Sequence, residues 1–212
     1  MKRIVVFGGT FDPVHQGHLR IIDAIERHIS PHRILVIPCG QPPHRAAPIA
    51  SGEHRSEMLR LACNNRPSLV VDDRELRSDT LSYSYLTLKD VQLEYPDALL
   101  YMTLGWDSLA SFTRWHRWQD ILDMSCLLVV GRSSKEDQEY IGLQEVPAEI
   151  GLSVEKLEAA NQATRCIVEL PFDEIDCSST EVREALRFGA SAEHVLKPQV
   201  IEYIKKYNLY QS

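Results

Sequence analysis

The sequence has no apolar run long enough to cross a membrane and no pair of cysteines at C-x-x-C spacing. The first absence argues against an integral membrane protein, and the opening run "MKRIVVFGG" is too short for a secretory signal. The second leaves no zinc knuckle suggested. The five cysteines, Cys39, Cys63, Cys126, Cys166 and Cys177, are odd in number and scattered, so they suggest no disulfide framework. Four of them sit among apolar neighbours, as small core residues do. Positive charge is also scarce. With 23 Lys and Arg against 30 Asp and Glu, the net charge is -7, which excludes a broad nucleic-acid-binding face. Internal repeats and low-complexity stretches are missing. These absences predict a reduced, soluble, cytoplasmic protein that binds neither membrane nor nucleic acid.

What is present suits a folded α/β unit. An apolar content of 44% and a charged content of 25% are ordinary for a globular chain, and 212 residues suffice for a core without staples. Short apolar runs alternate with stretches of helical period. "RIVVF" (3–7), "RILVIP" (33–38), "SLVVDD" (68–73), "ALLYMTLG" (98–105), "CLLVVG" (126–131) and "RCIVEL" (165–170) read as buried strands. Leu19, Ile22, Ile25 and Ile29 mark one face of a helix after the first strand. Further helices are expected over "SGEHRSEMLRLACNN" (51–65) behind a Ser51 cap, over "SYSYLTLKDVQLEYP" (82–96) up to Pro96, and over "RWQDILDM" (117–124). "STEVREALRFG" (179–189), stopped by Gly189, and "PQVIEYIKKYNLY" (198–210) add a C-terminal helical segment. Residues 133–164, polar and acidic with weak helical patches such as "SVEKLEAANQ", read as an insertion in a single domain over 1–212.

The alternation predicts a doubly wound parallel sheet with helices on both faces. Such sheets bind ligands beyond the carboxyl ends of their strands, where the strand order reverses. Gly8, Gly9, Gly105 and Arg132 all fall at such ends, so three distant segments should converge.

The segment "FGGTFDPVHQGH" (7–18) lies at the first of these ends. Gly8 and Gly9 allow close backbone approach, and a helix starting near Gln16 and Gly17 offers unpaired N–H groups and a positive dipole end to an anion. Neither common phosphate-loop spacing is present. His15 and His18 stand where a lysine or a third glycine would be expected, both within reach of the same anion. An H-x-x-H pair is also half of a metal site, but nothing nearby supplies a third ligand. Asp12 and Pro13 stiffen the turn over the helix start, where idle surface histidines are less expected.

This segment resembles the GGTFDPxHxGH signature of the H-x-G-H nucleotidyltransferases, and the chain as a whole resembles the bacterial nicotinate-nucleotide adenylyltransferases among them. The resemblance continues through "PPHR" (42–45), "LSYSYLTL" (81–88), "LGWDSL" (104–109), "RWHRWQDIL" (114–122), "SSTEVR" (178–183) and the terminal "YIKKYNLY". It implies a Rossmann-like nucleotidyltransferase fold. It also implies transfer of the adenylyl group of ATP to nicotinic acid mononucleotide, giving deamido-NAD and pyrophosphate by direct attack without a covalent intermediate. Mg²⁺ would arrive on the triphosphate, with no metal held by protein side chains, and the protein would be a monomer or homodimer.

The same resemblance distributes roles. His15, His18 and Arg183 are the catalytic candidates. Gly8, Gly9, Thr10, Phe11, Gly105, Asp107, Arg132, Ser178, Ser179 and Thr180 are the ATP-binding ones. His44, Arg45, Ser82, Tyr83, Ser84, Trp115 and His116 should take the mononucleotide, with Trp115 stacked on the pyridine ring and backbone N–H groups near Ser84 and His116 on the carboxylate. Trp106 and Trp118 read as packing residues. The family usually has an aliphatic residue where Cys177 stands, so Cys177 reads as packing too. Competing readings are an enzyme preferring nicotinamide mononucleotide or phosphopantetheine, a nucleotide-sensing domain without activity, and a fragment of a class I aminoacyl-tRNA synthetase. The intact histidines and Arg183 weigh against a silent domain, and the acidic charge weighs against tRNA.

Overall fold

Strands that are apolar on both sides of the chain axis need cover on both faces. The computed structural model describes residues 1–42, 46–130, 146–157, 165–171 and 175–211. Its strands are β1 (Lys2–Gly9), β2 (Arg33–Pro38), β3 (Leu69–Val71), β4 (Ala98–Gly105), β5 (Ser125–Val130), β6 (Val154–Glu155) and β7 (Ile167–Glu169). They form one sheet in the order β3-β2-β1-β4-β5-β7-β6, with every pairing parallel. The helices are α1 (Gln16–Ile29), α2 (Gly52–Ala62), α3 (Ser84–Glu94), α4 (Trp106–Ala110), α5 (Trp118–Met124), α6 (Ser179–Arg187) and α7 (Pro198–Lys206).

The alternating side chains of β1 show how the two cores arise. Val5 and Phe7 enter one, with Leu19, Ile22 and Ile25 of α1, Met58 and Leu59 of α2, Val182 of α6 and Val200 and Ile204 of α7. Ile4 and Val6 enter the other, with Leu88 and Val91 of α3, Leu109 of α4 and Ile121 and Leu122 of α5. The expected doubly wound sheet is therefore present. Among the described residues, no helix is long and apolar enough to cross a membrane.

Three features depart from the sequence reading. First, α4 and the 3-10 turn Phe112–Arg114 were not anticipated, because elements this short display no period. Second, Val154 and Glu155, inside a stretch with a helical pattern, form an edge strand paired with β7, and nearby Ile150 is buried at 3% exposure. The described part of the supposed insertion thus contributes to the core; residues 133–145 and 158–164 lie outside the described residues. Third, Cys126 and Cys166 are joined in a disulfide, so the expectation of five reduced thiols is corrected. The two are 40 residues apart in sequence, and only the sheet order brings the chain at β7 alongside β5.

The strand order positions the site. From β1 the chain moves outward to β2 and β3, then returns so that β4 lies on the other side of β1. The order therefore reverses between β1 and β4, and their carboxyl ends flank the crevice. The pairing of Val6 with Met102 brings Gly9 and Gly105 to the same level, three residues further on, and Gly105 pairs with Val130 of β5.

Ile22 is fully buried in the core that carries α1. Ile22→Ala is expected to lower the unfolding free energy by about 2–5 kcal/mol in urea titrations, with the slope unchanged. A loss near zero would mean that α1 is not docked as described.

Candidate active site

The loop after β1 is held from within. Phe11 has a left-handed backbone (φ 50°) and is buried at 1% exposure, its ring edge-on to Phe7 at 5.4 Å and to His18 at 4.9 Å. A Cβ on Gly9 would stand 2.9 Å from the Phe11 ring, so this glycine admits the ring as well as any ligand. Asp12, also buried, accepts hydrogen bonds from the Ile49 N–H (2.7 Å), the Ala50 N–H (3.1 Å) and the Tyr210 hydroxyl (2.7 Å). Arg55 is buried at 2% exposure and donates to the carbonyls of Thr10 (2.8 Å), Cys39 (2.8 Å) and Ala50 (3.2 Å). A buried anion and a buried cation, each satisfied mainly by backbone, fix the loop at both ends.

His15 is the N-cap residue of α1 and His18 lies in its first turn. Their ring centroids are 3.8 Å apart. The His15 backbone N–H donates to Nδ1 of His18 at 3.2 Å, which leaves the His18 proton on Nε2. Burial pushes His15 down to about 4, against an upward pull from Glu181. Burial, and then the neighbouring His15, holds His18 well below its ordinary value. The free site thus presents two neutral imidazoles. Nδ1 of His15 lies 3.2 Å from the Cys177 sulfur, so Cys177 does more than pack: it touches a candidate catalytic ring. A Cβ on Gly17 would stand 3.0 Å from the His15 ring and 3.3 Å from that sulfur.

The start of α6 meets the same loop. Ser178 caps the helix in a capping box with Glu181. The Ser179 hydroxyl donates to the Pro13 carbonyl at 3.0 Å, and Arg183 donates to the Asp12 carbonyl at 2.7 Å and to the Thr180 hydroxyl at 3.2 Å. Residues more than 160 positions apart are therefore clamped across the Asp12–Pro13 peptide, and two helix N-termini, α1 and α6, start from it.

On the other face of the sheet, α3 begins at Ser84 behind Tyr83, which makes no side-chain capping bond. The first-turn N–H groups of such a helix have no intrahelical acceptors. The Tyr83 ring lies 4.6 Å from that of His116, bringing the "SYS" and "RWH" segments together. Trp115 is partly buried, its ring 5.5 Å from Phe112; Trp106 and Trp118 are partly buried against the same core, as expected of packing residues. The Ser82 hydroxyl accepts from the Gly40 and Gln41 N–H groups (3.0 and 3.1 Å), tying down the segment that leads toward residue 43. Gly8 and Gly105 lie at the carboxyl ends of β1 and β4, Thr10 follows β1, and Asp107 is exposed in the first turn of α4. His44, Arg45 and Arg132 lie outside the described residues. Among the described residues, no three His, Cys, Asp or Glu side chains converge as metal ligands.

Arg55, Tyr210 and the Asp12 carboxylate have no role legible in the sequence. Arg55 carried no signal, because an arginine in an amphipathic helix reads as solvated. Asp12 and Tyr210 sat inside quoted motifs, but only the fold shows that they touch.

The chain matches known proteins over nearly its whole length. A family model described as cytidylyltransferase-like matches residues 6–185. The chain is 36% identical to the "Probable nicotinate-nucleotide adenylyltransferase" of Citrobacter koseri, with 97% of each covered. It is 33% identical to the protein of the same description from Acidithiobacillus ferrooxidans, over 99% of this chain and 96% of that one. A similar solved structure is Plasmodium falciparum nicotinic acid mononucleotide adenylyltransferase complexed with NaAD, with a TM-score of 0.74 and 22% identity over 99% of this chain and 98% of that one. At that identity the likeness is one of fold.

Neutral histidines at the start of a helix have a measurable signature. Nitrogen-15 NMR of the free protein is expected to show His18 as the Nε2–H tautomer and His15 neutral until about pH 4. The unfolded chain would protonate both near pH 6.5 and so binds more protons below that pH; stability therefore falls as pH drops from about 6.5 toward 4. His15 accounts for on the order of 3 kcal/mol of that loss, and His15→Asn should flatten the slope in urea titrations across the window. An Nδ1–H tautomer at His18, or ordinary titration of His15, would contradict the geometry.

Proposed function

The chain belongs to the cytidylyltransferase-like family and, within it, to the nicotinate-nucleotide adenylyltransferases, and on that premise we propose that it joins ATP to nicotinic acid mononucleotide. The products are deamido-NAD and pyrophosphate, which makes the reaction a step in NAD synthesis. The observation that carries the reading is the clamp over Asp12–Pro13, where the two histidines and the Ser179–Arg183 helix start meet at the reversal of strand order.

The chemistry suits these groups. A 5′-phosphate oxygen of the mononucleotide attacks the α-phosphorus of ATP; the new O–P bond forms as the bond to the β-phosphate bridging oxygen breaks, and pyrophosphate leaves. The attacker is already an anion, so no general base is needed, and catalysis reduces to positioning and charge stabilisation. His18 serves as a fixed neutral Nε2–H donor, because protonating its Nδ1 would break the bond from the His15 backbone. His15 can take up a proton when the triphosphate arrives, since a nearby anion raises its pKa. Arg183 supplies permanent charge, and Ser178, Ser179 and Thr180 supply hydroxyls and helix N–H groups. The adenosine end falls to Gly105 and Asp107 and to the backbone of Gly8 through Phe11. The nicotinate end falls to Trp115 as a stacking platform and to the N–H groups at Ser84 and His116. His44, Arg45 and Arg132 belong to the same proposal as phosphate or adenine contacts. Mg²⁺ enters as part of the Mg-ATP substrate, bound through phosphate oxygens and water. A cytoplasmic location belongs to the same reading, with the Cys126–Cys166 bond buried out of reach of soluble thiols.

Purified protein with Mg-ATP is expected to release pyrophosphate with nicotinic acid mononucleotide, and much less with nicotinamide mononucleotide or phosphopantetheine. Release only with phosphopantetheine, or none at all, would sink the proposal. His18→Ala should cost roughly 10²-fold in kcat, the scale of losing a preorganised donor; a near-normal rate would remove His18 from the chemistry. Trp115→Ala should raise KM for the mononucleotide about tenfold, as stacking contacts do; an unchanged KM would place the ring elsewhere.

A further inference from the structure

The segment after α7 does something that packing alone does not require. Asn208 and Tyr210 have left-handed backbones (φ 52° and 63°), so the chain turns back on itself and delivers the Tyr210 ring into the core at 5% exposure. A buried ring needs no hydroxyl for packing; a phenylalanine would fill the same space. The hydroxyl nevertheless lies 2.7 Å from Oδ1 of Asp12, a bond to a buried carboxylate whose other partners are the N–H groups of Ile49 and Ala50. The backbone of that same aspartate carries the site: its carbonyl holds Arg183, the next carbonyl holds Ser179, and His15 follows three residues on.

We propose that Tyr210 is a positioning residue for adenylyl transfer, acting through Asp12 to set the spacing between the histidine half and the Arg183 half of the phosphate clamp. The inference rests on the adenylyltransferase reading above. Its physical basis is the cost of leaving a buried carboxylate short of a donor. Without the hydroxyl, Asp12 shifts to recover a partner, and the shift passes directly to the two carbonyls that hold α6. Displacements well under 1 Å at reacting groups are felt strongly, since about 1 Å of misplacement can cost on the order of 10²-fold. The nicotinate end, built on α3 and the segment after β4, has no part in this chain of bonds. The loss should therefore appear in turnover and not in mononucleotide binding.

The test is Tyr210→Phe in the full chain, assayed for pyrophosphate release beside the wild type, with thermal melting to establish folding. The expected result is a kcat lowered about tenfold and a mononucleotide KM within about twofold of normal, in a protein still folded at the assay temperature. Asp12→Ala, which removes the acceptor, should lower kcat at least as far, and the double variant should be no slower than Asp12→Ala alone, because the hydroxyl then has no carboxylate to act through. In nitrogen-15 NMR of the free protein, the His15 and His18 imidazole signals should move in Tyr210→Phe. An unchanged kcat in folded Tyr210→Phe overturns the proposal, as do losses that add in the double variant, or a change confined to mononucleotide KM. If Tyr210→Phe does not fold, Asp12→Ala alone decides, and a normal kcat there overturns it. Failure of the adenylyltransferase reading is seen separately, as a wild type that releases no pyrophosphate with the mononucleotide. In that case the imidazole signals of Tyr210→Phe decide: if they stay in place, the positioning role is wrong as well.

Discussion

A carboxylate buried among backbone donors cannot move without stranding them, and Asp12 is such a carboxylate. Its oxygens are held by the turn at 49–50 and by Tyr210, so the peptide that follows has a fixed position. From that peptide the site is measured out. Arg183 binds its carbonyl and Ser179 the next one, α1 starts three residues later, and Arg55 secures the preceding Thr10 carbonyl. The sheet supplies the crevice, but the Asp12–Pro13 peptide supplies the reference point. Charge at its core is matched locally: the buried guanidinium faces carbonyls, and the buried carboxylate faces N–H groups and a hydroxyl.

The electrostatic character of the free site follows from the same enclosure. A pair of imidazoles this close, His15 buried and His18 partly so, disfavours the charged forms. The histidine pair therefore waits in a neutral form beside the permanent charge of Arg183. A lysine in the same place would carry permanent charge on a flexible stem, with less directional control. The ring contact between His15 and His18, and the edge of Phe11 against His18, give the imidazoles fixed orientations that a flexible amine would not have.

Much of this was legible in the sequence, for identifiable reasons. Runs such as "RIVVF" and "ALLYMTLG" are buried on both faces, so composition alone marks them as inner strands of a parallel sheet. The start of α1 was readable because the glycines and Pro13 punctuate it, and Ser178 announces α6 by its capping pattern. What stayed hidden was pairwise and long-range. Nothing local in Cys126 or Cys166 shows that β5 and β7 are neighbours. Nothing in "GEHRSEMLRLA" distinguishes Arg55, buried at 2% exposure, from a solvated arginine. Val154 and Glu155 gave a helical pattern and became a strand because β7 offered an open edge, a case of tertiary pairing overriding local preference. The pyridine end was readable only through the resemblance, since "SYS" and "RWH" carry no chemical signature until Tyr83 and His116 are seen to meet.

The crowding at Gly17 changes what the histidine signature means. A methyl group there would crowd the His15 ring at 3.0 Å and, at 3.3 Å, the sulfur of a residue 160 positions further along the chain. The third letter of the four is thus constrained by a three-body fit among residues 15, 17 and 177, quite apart from any anion that binds above it. A bulkier side chain at 177 would press on the imidazole from behind, and a smaller one would let it turn. The motif that looks like a local word is, physically, half of a sentence completed by α6: its identity is legible in twelve residues, but its shape is decided by where the far end of the sheet delivers Cys177.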